Sequence, residues 1–156
     1  MRLFTMAFVA LLFLGLSSCS KTEDTTPENP LLSGGSIALK ADGVSWNASL
    51  AVQAVNSNGV INITGSDANA KQASILLYGV SQTGSYSMTA GMAHQLRYTS
   101  GLGQNDTYMA NGLVGSGTIT ITELTSTKIK GTFSFTGVNT SGASKSITDG
   151  SFTANF

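Results

Sequence analysis

Cysteine is almost missing from this chain: 156 residues hold only one, Cys19. An internal disulfide therefore has no partner, and a thiolate zinc site has no ligand set. Histidine is equally scarce, with His94 alone. A Ser-His-Asp hydrolase would have to rest on His94, Asp106 and one of many serines. No Gly-x-Ser-x-Gly elbow accompanies them, and Gly115-Ser116-Gly117 reads as a glycine-flanked turn. His94 is thus expected to be a surface or packing residue, and the chain a non-enzyme.

Charge is also thin, with 10% charged residues and eight basic against eight acidic ones. No basic stripe exists, so nucleic acid is not an expected partner. The few acids lie mostly at turns and form no facing pair for glycoside hydrolysis. Asn105 and Asp106 offer oxygen atoms to calcium, but EF-hand spacing is absent. The glycine runs lack a Walker lysine. No metal and no cofactor are expected.

Long apolar runs are missing too. Residues 3–16 are apolar except for Thr5, which falls short of the roughly 20 residues that span a bilayer. Arg2 precedes this run, and Leu16-Ser17-Ser18-Cys19 follows it. A basic start, a short apolar stretch and small residues form the pattern of a secretory signal peptide over residues 1–18. The last four resemble a lipobox, which makes Cys19 the expected lipidation site. Two or more acyl chains there give stable membrane anchoring without a spanning helix. Ser20 favours the outer membrane as destination, because an Asp at that place is the retention signal in enteric-type sorting.

Both prolines, Pro27 and Pro30, fall in the polar segment that follows. It has no period and reads as a disordered tether over residues 19–35, counted from the lipidated cysteine. Lys21-Thr22-Glu23-Asp24 resembles a surface-export signal of Bacteroidota lipoproteins, with an ordinary charged spacer as the plain alternative. Asp24-Thr25-Thr26 resembles a short O-glycosylation motif with Thr25 as acceptor.

What is abundant is period-two alternation punctuated by Gly and Asn. Residues 36–156 read as one all-β domain. Asp42-Gly43 and Asn58-Gly59 are two-residue hairpin signals. Residues 74–80 form a more continuous apolar run and suggest a central strand buried on both faces. Thr118-Ile119-Thr120-Ile121-Thr122 alternates without fault, as does the stretch holding Ile129, Gly131, Phe133 and Phe135. Ile147 and Phe152 differ in parity, which predicts a bulge near Asp149-Gly150. The expected architecture is a single antiparallel β-domain of about nine or ten strands, either a barrel-like sandwich or a small meander barrel. Trp46 is expected to plug one end of the core, with its indole N–H needing an acceptor.

Residues 91–117 are the least regular part. They carry His94, Arg97, Tyr98 and Tyr108, which with Trp46 are the candidate ligand-binding side chains. The plain alternative is that residues 95–99 and 107–110 are two further strands with aromatic packing.

Ala41-Asp42-Gly43-Val44-Ser45-Trp46, Gly131-Thr132-Phe133-Ser134-Phe135 and Ile147-Thr148-Asp149-Gly150-Ser151-Phe152, together with the alternating run from Thr118, carry a resemblance. They look like a family of small Bacteroidota lipoproteins known only as a domain of unknown function. The resemblance covers residues 37–156 and implies an all-β fold and an envelope location. It carries no catalytic residue. The functional expectation is an outer-membrane lipoprotein, on the periplasmic face or the cell surface. It is joined to the membrane through Cys19 and binds a glycan, a peptide or a small apolar ligand. The alternative is a structural or accessory envelope protein with no small-molecule ligand.

Overall fold

A computed structural model describes residues 34–156. The signal peptide, Cys19, Thr25 and nearly all of the tether lie outside the described residues. Eleven strands follow one another: β1 (Ser36–Ala41), β2 (Val44–Asn47), β3 (Val52–Ser57), β4 (Val60–Ser66), β5 (Gln72–Tyr78), β6 (Gly84–Ser87), β7 (Gln95–Thr99), β8 (Thr107–Ala110), β9 (Ser116–Leu124), β10 (Lys128–Val138) and β11 (Ser144–Asn155). They form a single antiparallel sheet, curled into a half-barrel.

The turns follow from residue chemistry. Asp42 and Gly43 both have positive φ, at 48° and 83°, and so do Asn58 and Gly59, at 51° and 77°. Positive φ at both central residues matches the twist of the flanking strands. These turns join β1 to β2 and β3 to β4.

The main strand order is β2-β1-β11-β10-β8-β7-β5-β4-β3. At β10 the sheet forks. Met109 of β8 pairs with Val138, while β9 takes the rest of the same edge from Thr136 to Ile129 and carries β6 on its far side. Gly115 sits at the split. A Cβ there would lie 2.5 Å from the Thr136 carbonyl oxygen, and its φ is 70°. The path ends, β2 and β3, are consecutive in sequence. The link between them returns to the sheet through Ala48 N–H to the Ile37 carbonyl and Ser49 and Leu50 N–H to the Ser66 carbonyl.

The expected bulge is present. Both ladders of β11 shift register, between Phe133 and Phe135 on β10 and between Ala38 and Lys40 on β1. Asp149 has a φ of 51° at that place. The extra residue lets Ile147 and Phe152 both face inward despite their opposite parity.

Alternation fills the concave face with Ile37, Leu39, Ile61, Ile63, Ile75, Leu77, Leu96, Ile119, Ile121, Ile129, Phe133, Phe135, Ile147 and Phe152. Such burial stabilises by about 1.5–3 kcal/mol per large side chain, before chain entropy is counted. The strands among the described residues number eleven, against the nine or ten expected, and residues 95–99 and 107–110 are the strands β7 and β8, as the plain alternative for the irregular region had them. One expectation needs correction. Residues 74–80 are not buried on both faces: Ala73, Ile75 and Leu77 are buried, Leu76 is half-buried and Tyr78 is exposed. A single curled layer covers only its inner face.

The convex face of β6, β9, β10 and β11 is built of hydroxyls. Ser85, Thr120, Thr132 and Ser151 are cross-strand partners in one row, and Ser116, Thr136 and Ser146 form another.

Candidate functional site

β7 decides which candidate residues meet. Its alternation turns Leu96 and Tyr98 inward and Arg97 to the convex face. His94 precedes its first residue. Tyr98 lies four residues further along, about 13 Å at 3.3 Å per residue. The five candidates therefore divide into two places and one outlier.

Trp46, Tyr98 and Tyr108 come together. Trp46 is 6% exposed and Tyr98 2%. Their rings meet edge to face at 5.8 Å and 71°, a favoured geometry for aromatic quadrupoles. Tyr108 is the direct cross-strand partner of Tyr98. The Lys145 ammonium lies 4.9 Å from the centre of the Tyr108 ring, within cation–π range.

The expected acceptor for the indole is Asp67. Trp46 Nε1 donates to Asp67 Oδ2 at 2.8 Å, and Asp67 Oδ1 accepts the backbone N–H groups of Asn69 and Lys71 at 2.8 and 3.0 Å. Desolvation pushes the Asp67 carboxyl up. The indole and the two backbone donors, with the Lys71 charge, outweigh it and hold the group below the usual carboxylate range.

Asp42 is held low in the same way. Its Oδ2 accepts Lys145 Nζ at 2.7 Å and its Oδ1 accepts the Ser146 N–H at 2.9 Å. The hydrogen bond to Asp42 raises the Lys145 pKa in return.

These side chains frame a cleft of about 230 Å³, lined by Ala41, Val44, Ser45, Trp46, Lys71, Tyr98, Ser100 and Lys145. Neither Asp42 nor Asp67 lines it. The polar side-chain atoms sealed from solvent without a partner among the described residues are His94 Nε2 and Arg97 Nε. The Tyr98 hydroxyl is not one of them, and Tyr98, although almost wholly buried, lines the cleft. Burial raises the Tyr98 pKa above 10.0, so the group is a neutral hydroxyl at physiological pH.

His94 occupies the other place. It is 3% exposed. Its Nδ1 accepts the Tyr78 N–H at 3.2 Å, so the neutral ring carries its proton on Nε2, which has no partner among the described residues. Tyr86 packs edge to face on it at 5.5 Å, and the Tyr86 hydroxyl donates to the Gln82 carbonyl at 2.7 Å. Burial holds the imidazole below its ordinary pKa of 6.5.

Asp106 sits beyond the opposite end of β7, where its Oδ2 accepts the Gly103 N–H at 2.8 Å. His94 and Asp106 are thus separated by the whole strand. Asn105 accepts from Thr140 and Asn139, tying two loops together. Arg97 stands apart on the convex face, donating to Gln95 Oε1 at 3.1 Å. Among the described residues no three His, Cys, Asp or Glu side chains gather into a possible metal site.

Other hollows are larger or shallower. Grooves of about 490 and 420 Å³ run over the hydroxyl face, walled mostly by Ser and Thr with Phe133, Phe135 and Asp149 among the rest, and hold no buried polar side chain. A hollow of about 250 Å³ on the convex side of the fork is lined by Leu76, Tyr78, Met92 and Leu113 among others. The Trp46 cleft alone of these four combines cations, hydroxyls and a buried aromatic wall.

Sequence reasoning missed Lys71 and Lys145. Lys145 is 103 residues from Asp42, and no local spacing announces their meeting. Asp67 and Lys71 carried one usable signal, because the Trp46 indole needed an acceptor and the polar turn over residues 67–71 offered one.

No curated protein and no solved structure matches the chain. Residues 34–154 match the family model described as a domain of unknown function, DUF6252, and the chain belongs to that family.

Proposed function

We propose that this chain is an outer-membrane lipoprotein, anchored through Cys19, whose β-domain is a non-catalytic binding module. Its ligand is a glycan, a peptide or a small apolar molecule, held in the Trp46–Tyr98 cleft. The observation that carries this reading is the lining of the cleft, which brings the buried rings of Trp46 and Tyr98 together with Lys71, Lys145, Ser45 and Ser100. Sites for small molecules combine an apolar or aromatic wall with a few polar groups in this way.

Support for the anchor is the order of basic residue, short apolar run and Leu-Ser-Ser-Cys at residues 16–19. Radiolabelled palmitate fed to the expressing cells should enter the protein, and Cys19→Ala should abolish both the label and the membrane fraction. A free thiol at Cys19 in a product that washes out of membranes ends the anchor reading. Thr25 is the proposed O-glycosylation acceptor, read out by the mass of the fragment that contains it. For the cleft, chemical nitration should reach Tyr98 and acrylamide should quench Trp46. If both residues are protected, the binding reading has no open site.

A second reading, a structural or accessory envelope protein, draws on the hydroxyl rows of the convex face. Such a surface is solvated and nearly uncharged, and it presents no deep hollow. Resistance of Tyr98 and Trp46 to both probes would favour it.

A further inference from the structure

The walls of the Trp46 cleft are unequal in charge. Lys71 and Lys145 line it, while the two carboxylates of this region do not. The acids lie behind the lining residues and are engaged with them. Asp67 accepts three hydrogen bonds through its two oxygens. Asp42 accepts Lys145 and the Ser146 N–H. Both carboxylates keep their charge, Asp42 offset by Lys145 and Asp67 by the nearby Lys71, but neither forms part of the wall that a ligand would touch.

The cations keep spare donors. An ammonium has three N–H groups. Lys145 spends one on Asp42 and rests against the Tyr108 ring. Lys71 makes no ion pair within 4 Å among the described residues, although its charge acts on Asp67. Tyr98, Ser45 and Ser100 add hydroxyl-bearing residues to the lining, with Ser100 Oγ donating to the Asp106 carbonyl and still able to accept, and the remaining wall is Trp46, Val44 and Ala41. The volume, about 230 Å³, lies below the roughly 300–1,000 Å³ of sites for drug-sized molecules. It suits one small unit rather than a chain.

Building on the binding reading above, we infer that the cleft takes a hydroxylated carboxylate of monosaccharide size, an acidic sugar unit. Its carboxylate lies between the ammonium groups of Lys71 and Lys145, and its hydroxyls meet Tyr98, Ser45 and Ser100. The Trp46 wall supplies the apolar contact. The same chemistry recognises inorganic phosphate, which shares the charge but lacks the body to reach Trp46.

The test uses the full-length chain in mild detergent and the emission of Trp46, the only tryptophan. D-glucuronate, D-glucose and inorganic phosphate are titrated separately. Glucuronate should give a saturable change that weakens when salt rises from about 0.05 to about 0.5 M, because partly exposed charges are screened. Lys71→Met and Lys145→Met should each weaken binding about tenfold, the scale of one charge-assisted hydrogen bond. Thermal midpoints are read in parallel. Lys71→Met breaks no ion pair of the described fold, so it keeps the test decisive should Lys145→Met unfold.

Glucose binding as tightly as glucuronate, with both lysine variants unaffected, overturns the acidic class and leaves the binding module standing. Phosphate competing at equal strength overturns the sugar body and assigns the site to a free anion. If none of the three changes Trp46 emission while acrylamide still quenches it, the acidic-sugar assignment falls and the open site remains. If quenching and Tyr98 nitration fail as well, both readings fall together.

Discussion

The two ends of β7 hold the same device in opposite settings. At each, two rings meet edge to face: Trp46 with Tyr98 at 5.8 Å, and Tyr86 with His94 at 5.5 Å. At the Trp46 end the indole has its acceptor, and the second ring presents a hydroxyl to a cleft with cations on its walls. At the His94 end the phenol has its acceptor, and the second ring keeps its Nε2 sealed inside without a partner. One end opens onto a cleft. The other is closed, and it carries the strain of an unmet polar atom on its own. Similar packing thus says little about function, and access with neighbouring charge says more.

The comparison breaks most visibly if the two ends do not differ in depth. Trp46→Ala should cost about 3–5 kcal/mol, the usual range for truncating a large buried aromatic, read by urea unfolding with circular dichroism. Tyr86→Ala should cost less, since its ring is only half-buried. Equal losses would mean that both ends are core in the same sense.

The next effect is in pH. Burial holds His94 below 6.5. On acidification the unfolded chain binds this proton first. The His94 contribution is therefore complete above pH 6.5 and is lost as pH falls from there towards the folded value. Asp42 and Asp67 sit below 3.8 in the folded state, so their contribution survives until pH falls beneath that value. Unfolding midpoints should decline first in the His94 window and again in strong acid. His94→Phe should flatten only the first decline. A first decline that persists in this variant would place its origin elsewhere.

Smaller changes sharpen the contrast. Tyr86→Phe removes a hydroxyl that donates to Gln82 and should cost about 0.5–1 kcal/mol. Lys145→Met breaks a partly exposed ion pair with Asp42 and should cost at most about 1 kcal/mol of stability. A larger loss would make Lys145 a structural residue rather than a wall of the site.

Much of the fold was legible because its signals are local. Asp42-Gly43 and Asn58-Gly59 announced their turns, and the parity conflict between Ile147 and Phe152 announced the bulge at Asp149. The Trp46 indole announced a missing acceptor. What stayed hidden depends on distant chain. The fork at β10 requires β8 and β9 to share one edge, and nothing in either strand states this. Residues 74–80 were misread because an apolar run does not say whether its second face is covered. Arg97 and Tyr98 were grouped as candidates for one site, whereas the strand that the plain alternative gave for residues 95–99 sends them to opposite faces. The cleft drew its lysines from positions 71 and 145, which become neighbours only after the sheet curls.

The central claim is that the Tyr98 hydroxyl serves a ligand rather than the fold, and Tyr98→Phe tests it most directly. The variant should keep its unfolding free energy within about 0.5 kcal/mol while its affinity for glucuronate, read from Trp46 emission, falls about fivefold or more. Unchanged affinity, or a loss of stability with binding intact, would contradict the account.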